Sequence, residues 1–211
     1  ACRGTAGFAH VSCLAEQAKI LIAEAEENNL GDEALDKRFL RWYHCSLCEQ
    51  EYHGVVRCAL GWGCWKTYVG RPEANWARMS AMTVLGNGLD EAGRIEESLG
   101  VMEAKLSSDE RFGVSEDNIL NTKSLIAASY QTLGRFDESI ELRRHIYSRA
   151  VALNVDPPTR YGHAVNLSQS LVEGGHYKEG KSFLRKVLPE ARRSLGEEDQ
   201  VYMSLRCNFA T

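Results

Sequence analysis

The chain has 211 residues, of which 44% are hydrophobic and 26% are charged, a balance that excludes a disordered protein and suits one or two modest domains. Its formal net charge of -4 gives no general reason to expect nucleic acid or a membrane surface as a partner, and no apolar run is long enough to span a bilayer. The sequence begins at Ala1 without a secretory signal, so we expect a fragment of a longer chain from a reducing compartment, the cytoplasm or the nucleus.

The amino-terminal part of the chain is rich in potential zinc ligands. Cys2, His10 and Cys13 occur within CRGTAGFAHVSCL, and the segment CSLC supplies Cys45 and Cys48. Thiolate and imidazole pairs separated by two residues are what a tetrahedral structural zinc site requires, because a tight turn then presents both ligands to one metal ion. The pattern therefore predicts a module that binds zinc as its cofactor.

These motifs resemble the latter half of a RING-CH zinc finger, a family that binds two zinc ions in a cross-braced arrangement. The resemblance implies that His10 and Cys13 complete one zinc site and that Cys2, Cys45 and Cys48 share the other, each with further ligands upstream. It also implies an alternative function, that of a ubiquitin-protein ligase whose partner is a ubiquitin-conjugating enzyme.

Two other interpretations of these cysteines stay open. Cys2 and Cys13 could be buried as small hydrophobic residues without any metal. A self-contained zinc site could instead use the four ligands Cys45, Cys48, His53 and Cys58.

The next elements are two predicted helices and an aromatic segment. Residues 14–27 have apolar side chains on one helical stripe, NNLGD interrupts them, and a second short helix is predicted over residues 33–42. Residues 49–76 are rich in aromatic side chains. They include three tryptophans, Trp62, Trp65 and Trp76. We interpret this segment as a joint that caps the open end of a repeat array, with a ligand-binding aromatic box as the alternative.

The rest of the chain repeats itself. Gly93, Gly134 and Gly175 recur every 41 residues, and a partial fourth copy begins at Val201. Apolar residues at helical spacing lie on both sides of each glycine, so each unit is predicted to be a pair of amphipathic helices. Small residues stand where the paired helices should cross, namely Gly86, Ala127 and Ser168 in the first helix and Ser98, Ser139 and Gly180 in the second.

These repeats resemble tetratricopeptide (TPR) repeats, and their period resembles that of kinesin light chains. The resemblance implies an all-α protein whose residues 77–211 form a right-handed TPR-like helical-repeat solenoid of about three repeats and a partial fourth. A small zinc-finger-like module over residues 1–48 and the joint over residues 49–76 precede it. An ordinary helical bundle is the alternative. Since the repeats contain no catalytic motif, we expect a chain that is not itself an enzyme.

In TPR folds the first helix of each unit lines a concave groove. Carried onto this chain, that register gives nine candidate peptide-binding residues: Thr83, Asn87, Asp90, Glu91, Asn121, Ser124, Gln131, Gln169 and Glu173. Amides suit the backbone of an extended peptide, and the carboxylates favour a neutral-to-basic one over an acidic one. The sequence thus predicts a protein-interaction scaffold with a structural zinc module. The alternatives are a RING-CH-type ubiquitin ligase whose repeats recruit substrate, and a groove that is merely a solvated face.

Overall fold

The computed structural model describes residues 9–210, so Cys2 lies outside the described part of the chain. Its α-helices are α1 (Val11–Glu27), α2 (Asp32–Phe39), α3 (Gly54–Tyr68), α4 (Trp76–Glu91), α5 (Ile95–Phe112), α6 (Glu116–Thr132), α7 (Phe136–Ala152), α8 (Pro157–Glu173), α9 (Tyr177–Leu195) and α10 (Gln200–Ala210). No β-strand forms within these residues, although His44 and Glu51 make an isolated antiparallel bridge. The all-α prediction is therefore confirmed for the described residues. None of their helices is long and apolar enough to cross a membrane.

The chain divides into two compact units, Ala1–Val114 and Ser115–Thr211, called here the amino-terminal and the carboxy-terminal unit. The amino-terminal unit contains α1 to α5, and the carboxy-terminal unit contains α6 to α10. The predicted domain boundaries after residues 48 and 76 stay predictions.

Aromatic side chains build much of the core of the amino-terminal unit. The predicted helix over residues 33–42 is α2 followed by a 3-10 turn that ends at Trp42. Trp42 is fully buried, and its ring centroid lies 6.0 Å from that of Tyr68. The ring centroids of Phe39 and Trp76 are 5.4 Å apart. Part of the aromatic joint is thus core, as its interpretation as a packed cap requires.

Two other tryptophans of the joint have a different setting. Trp62 and Trp65 on α3 help to line a cavity of about 570 Å³, together with Met82 of α4 and Val101 of α5. Each indole also has an arginine guanidinium carbon 5.9 Å from its centroid, Arg94 over Trp62 and Arg78 over Trp65. The alternative of an aromatic box therefore keeps a structural basis at these two residues.

The helices α3 and α4 approach closely because two glycines remove side chains from their interface. A Cβ atom on Gly61 would lie 3.0 Å from the Leu85 Cα atom, which belongs to the backbone of α4. A Cβ atom on Gly88 would lie 2.9 Å from the Arg57 carbonyl oxygen and 3.0 Å from the Cys58 Cα atom. Since backbone atoms cannot rotate away as side chains can, this packing depends on glycine at both positions.

The three anchor glycines end the first helix of each repeat as the sequence predicts. Gly93, Gly134 and Gly175 have φ angles of 74°, 73° and 79°, in the left-handed region that glycine tolerates best. In each case the residue after the glycine donates its N–H to a carbonyl five residues earlier, which satisfies a terminal carbonyl of the helix. The bonds are Arg94 to Leu89 (2.9 Å), Arg135 to Tyr130 (2.9 Å) and His176 to Leu171 (2.7 Å).

The small residues at the helix crossings are buried, and two of them carry a repeated hydrogen bond. The Ser98 hydroxyl donates to the Gly86 carbonyl and the Ser139 hydroxyl to the Ala127 carbonyl, each at 2.8 Å. The third repeat places Gly180 opposite Ser168, so this bond is absent from it and the Ser168 hydroxyl donates to a carbonyl of its own helix. The repetition of contact geometry confirms the alignment of the first two units residue by residue.

Candidate functional site

The CSLC segment forms a tight turn in which one sulfur accepts a backbone hydrogen bond. The Cys45 N–H donates to the Gln50 carbonyl at 2.9 Å, and the Glu49 N–H donates to the Cys45 carbonyl at 3.0 Å. The Leu47 N–H points to the Cys45 sulfur at 3.5 Å. A hydrogen bond of this kind favours the thiolate, which is the form that binds zinc. The Cys48 sulfur lies 3.9 Å from the side-chain oxygen of Gln50.

His10 and Cys13 lie at the start of α1, where His10 is the residue immediately before the helix. The Cys13 sulfur is 4.0 Å from His10 Nδ1, and both residues are exposed. The two side chains therefore lie next to each other, while their role as zinc ligands stays a prediction. The alternative interpretation of Cys13 as a buried small hydrophobic residue is wrong, because its side chain faces solvent.

No group of three or more His, Cys, Asp or Glu side chains able to hold a metal ion occurs within residues 9–210. The self-contained site of Cys45, Cys48, His53 and Cys58 is therefore wrong. His53 is directed elsewhere, since its Nδ1 atom lies 2.9 Å from a Glu91 carboxylate oxygen. The cross-braced assignment also involves Cys2, which lies outside the described residues, so zinc binding stays a prediction.

In the amino-terminal unit, two predicted groove residues line a cavity of about 590 Å³. Thr83 and Asn87 lie on α4 together with Ser80, at the spacing that puts three side chains on one helical face. None of these three side chains forms a hydrogen bond to another described residue. Their hydroxyl and amide groups are therefore available to a ligand.

The opposite wall of this cavity comes from the front end of the chain, which the sequence analysis assigned to the zinc module. Its residues are Asp36, Lys37, Phe39, Leu40 and Tyr43. Leu40 is 37% exposed, so the wall offers an apolar side chain beside the polar row on α4. This role could not be predicted, because nothing in the spacing of residues 32–43 indicates that they line a cavity with α4.

The other two predicted groove residues of this unit lie at the end of α4. Glu91 is engaged, since it contacts His53 and its second carboxylate oxygen lies 3.6 Å from Arg57 Nε. Asp90 lies at the surface. The pKa of its carboxyl is raised, first because neighbouring atoms exclude part of the surrounding water and second because of the adjacent Glu91 charge. Only Asp90 of this pair presents a carboxylate without an ion-pair partner among the described residues.

In the carboxy-terminal unit, three predicted residues meet in one hydrogen-bonded group around a cavity of about 330 Å³. The Gln169 amide donates to a Glu173 carboxylate oxygen at 2.9 Å, and the Gln131 amide donates to the other oxygen. The two remaining predicted residues lie apart from this group. Ser124 donates its hydroxyl to the Leu120 carbonyl at 2.9 Å, whereas Asn121 lines a separate cavity of about 580 Å³.

An arginine that the register did not select lies at the base of this group. Arg143 on α7 is only 8% exposed, and burial lowers the pKa of its guanidinium while the Glu173 charge opposes that shift. Its Nη2 atom donates to the Gln131 side-chain oxygen at 2.8 Å, and its Nε atom donates to the Ser139 hydroxyl at 3.2 Å. The guanidinium therefore fixes the orientation of Gln131, whose amide group then points to Glu173.

A signal for Arg143 was present in the sequence. Arg143 lies midway between Ile140 and Ile146, so it falls on the buried stripe of an amphipathic helix where an apolar residue is expected. A cation at such a position requires polar partners, and those partners are the groove amides.

The larger cavity of this unit is acidic. Glu116, Asp117 and Asp156 line it with Asn121 and His163. Glu116 pairs with Arg149 at 2.9 Å, and the hydrogen bond from the Thr159 backbone holds the pKa of Asp156 below its usual value. Burial lowers the pKa of His163, and the Arg143 charge adds to that effect, so the imidazole stays neutral at pH 7. Carboxylates therefore dominate the electrostatics of this cavity.

Comparison with known proteins identifies the fold. No protein-family model and no curated protein matches the chain. Among solved structures, the chain is similar to the crystal structure of nearly identical TPR-like repeats from a kinesin light chain of Podosopora anserina. The sequence identity is 17% and the TM-score is 0.62, and the match covers 96% of this chain and 86% of that one. A second crystal structure of those repeats, with one substitution, gives 16% identity and the same TM-score and coverage. The chain therefore has a TPR-like helical-repeat fold, as its repeats predict.

Proposed function

We propose that this chain is a protein-interaction scaffold that binds an extended peptide of a partner protein. The observation that carries the proposal is the row of Ser80, Thr83 and Asn87, whose side chains line a cavity of about 590 Å³ without a hydrogen bond to any other residue that the structure describes. An extended peptide has one free N–H or C=O group every few ångströms, and such a row of amide and hydroxyl groups can satisfy them.

The charges of the cavities favour a neutral-to-basic peptide. In the carboxy-terminal unit, Asp117, Asp156 and Glu173 face the two cavities, whereas the cation Arg143 is buried and donates to Gln131. In the amino-terminal unit, Asp36 and Glu51 balance Lys37 and Arg57 in the cavity lining, and Asp90 adds an exposed carboxylate at the end of the polar row. Lysine or arginine side chains of a partner would therefore be attracted, and the affinity should fall as salt rises.

Alanine substitution of the unengaged amides tests the proposal. We expect Asn87→Ala and Asn121→Ala each to weaken binding of a neutral-to-basic peptide by about 1 kcal/mol, or roughly fivefold in Kd, because each removes hydrogen bonds to the peptide backbone. The exposed Asn118 of α6 lines neither cavity, so Asn118→Ala is the matched control. Isothermal titration calorimetry measures the three affinities. If neither Asn87→Ala nor Asn121→Ala binds the peptide more weakly than Asn118→Ala does, these cavities are not the peptide site.

We further propose that zinc binds at the front end, with Cys45 and Cys48 as one ligand pair and His10 and Cys13 as another. Support comes from the tight CSLC turn and from the N–H that points to the Cys45 sulfur. When bound, zinc would supply structural cross-linking of the front end. The ubiquitin-ligase alternative rests on the RING-CH resemblance alone, and so does the proposed ubiquitin-conjugating partner. The cytoplasm or nucleus as the compartment is likewise a proposal.

Zinc competition against a chromogenic chelator tests the metal proposal. We expect the chain to bind zinc weakly and the double substitution Cys45→Ser and Cys48→Ser to abolish part of that binding, because a serine hydroxyl is a poor zinc ligand. Cys207→Ser is the control, since Cys207 is exposed on α10. If the double variant and the control take up the same amount of zinc, the cysteine pair is not a ligand pair.

A further inference from the structure

The helix α9 carries a continuous band of positive charge on its exposed face. The cationic residues are Lys178, Lys181, Arg185, Lys186, Arg192 and Arg193, all of them exposed, and they are called here the cationic strip. At about 100° per residue they fall within an arc of about 140° around the helix, which contains no carboxylate. Glu179 and Glu190 lie just beyond one edge of the arc. The strip extends about 22 Å along the helix axis.

Most of this charge has no ion-pair partner in the part of the chain that the structure describes. Arg192 pairs with Glu197 beyond the end of α9. Among the residues that the structure describes, the other five cations of the strip make no ion pair. Glu179, the nearest carboxylate at the amino-terminal end of α9, is taken up by Arg144 of α7 at 2.7 Å. Unpaired like charges on one helix repel one another, so a stable fold gains nothing from this arrangement by itself.

The opposite face of α9 is occupied, which restricts the kind of partner. Leu184, Val187 and Ala191 are buried in a core that includes Tyr161 of α8 and Leu205 of α10. The helix therefore has no free apolar face to insert into a lipid bilayer. The strip also contains no aromatic side chain on which a nucleotide base could stack. What remains is a purely electrostatic surface of limited length.

The charge of the rest of the chain favours a short partner over a long one. The whole chain has a net charge of -4 despite the strip, so the remaining residues are acidic in balance. Glu197, Glu198 and Asp199 follow α9 directly. A nucleic-acid duplex or a membrane plane would extend past the strip and bring its negative charges within a Debye length, about 8 Å, of these carboxylates. A segment of about seven extended residues matches the strip and ends before them.

We propose that the cationic strip of α9 binds a short acidic segment, rich in Asp, Glu or phosphoserine, of a partner protein. This surface is distinct from the cavities proposed to bind a neutral-to-basic peptide, since no residue of the strip lines any of them. The chain would then recognise two segments of opposite charge, one in its cavities and one on α9.

Fluorescence anisotropy with a labelled peptide of about seven Asp and Glu residues tests this proposal. We expect the double substitution Lys181→Glu and Arg185→Glu to weaken binding of this peptide at least about tenfold, because it replaces two attractive charges with two repulsive ones. The control Lys19→Glu and Lys66→Glu makes the same change in net charge at exposed lysines of α1 and α3. It should leave the affinity within about twofold, since those lysines are outside the strip.

Three results would overturn the proposal. One is unchanged peptide affinity in the strip variant, and another is an equal loss in the strip variant and the control. The third is tighter binding of a short DNA duplex, or of phosphatidylserine vesicles, than of the acidic peptide, with that binding lost in the strip variant. Circular dichroism checks that α9 stays folded. Should the glutamates unfold it, Lys181→Gln and Arg185→Gln remove the charge while keeping helix-compatible side chains.

Discussion

Replacement of Gly88 by valine should destabilise the protein strongly, by about 3 kcal/mol in the free energy of unfolding. A Cβ atom at this position would lie 2.9 Å from the Arg57 carbonyl oxygen and 3.0 Å from the Cys58 Cα atom. These are backbone atoms of α3, so only a displacement of the whole helix could relieve the clash. The same displacement would disturb the wall that carries Arg57 and the polar row of α4. Urea denaturation followed by circular dichroism measures the effect.

Gly100 provides a comparison at an exposed helical glycine. It lies in the middle of α5, is exposed, and would have no atom within 4 Å of an added Cβ. Gly100→Ala should therefore raise the free energy of unfolding by about 0.5 to 1 kcal/mol, because alanine loses less conformational entropy in a helix than glycine does. If Gly88→Val were as harmless as Gly100→Ala, the close approach of α3 and α4 would be incorrect.

The second large effect is expected at Arg143. Arg143→Glu should lower the free energy of unfolding by about 3 to 5 kcal/mol, because it buries an anion near the Glu173 carboxylate without a cation to compensate it. Arg143→Met should cost about 1 kcal/mol or less, since it leaves no buried charge and Gln131 keeps a hydrogen bond from the Ser170 hydroxyl at 2.9 Å. Thermal denaturation of the two variants gives the comparison.

The methionine variant also separates a structural role of Arg143 from a binding role. If the guanidinium orients Gln131 for a peptide, the methionine variant should fold normally and bind the peptide more weakly. A methionine variant as unstable as the glutamate variant would instead show that the hydrogen bonds to Ser139 and Gln131 contribute mainly to folding.

The repeats were predictable because their signals are local. A glycine such as Gly134 marks the end of a helix, because glycine tolerates the left-handed conformation in which many helices terminate. The period of 41 residues then identifies the equivalent helix-crossing residues in each repeat from the sequence alone. The hydroxyl bonds of Ser98 and Ser139 follow from this register. The handedness of the predicted solenoid has no such local signal and stays a prediction.

The candidate site was only partly predictable because its shape depends on long-range packing. The register selected Asn87 and Gln131 because each lies on the first helix of a repeat, and each lines a cavity in the structure. It could not show that Glu91 would be taken up by His53, which is 38 positions earlier in the chain. Nor could it bring Tyr43 of the front end to the cavity, because no periodicity links the segments.

The front end was the least predictable part for a related reason. A cysteine pair such as Cys45 and Cys48 has the same spacing whether or not other ligands meet it in space, so spacing alone does not define a complete site. The structural similarity to TPR-like repeats covers 96% of the chain. That share is larger than the predicted repeats over residues 77–211, so it includes most of the front end. Residues of α1, α3 and α4 share one apolar core in this part of the fold, and no ligand spacing indicates that packing.

A peptide array read in parallel on the native chain and on the double variant Asn87→Ala and Asn121→Ala tests the central claim most directly. Peptides that lose binding in the variant are ligands of the cavities, whereas ligands of the cationic strip should bind both proteins equally. We predict that the cavity ligands are extended, neutral-to-basic sequences, because carboxylates dominate the cavity at Asn121, acidic and basic side chains balance in the cavity at Asn87, and amides hold the peptide backbone. If the peptides lost in the variant are acidic carboxy-terminal sequences, or if none is lost, the account of these cavities as peptide-binding sites is contradicted.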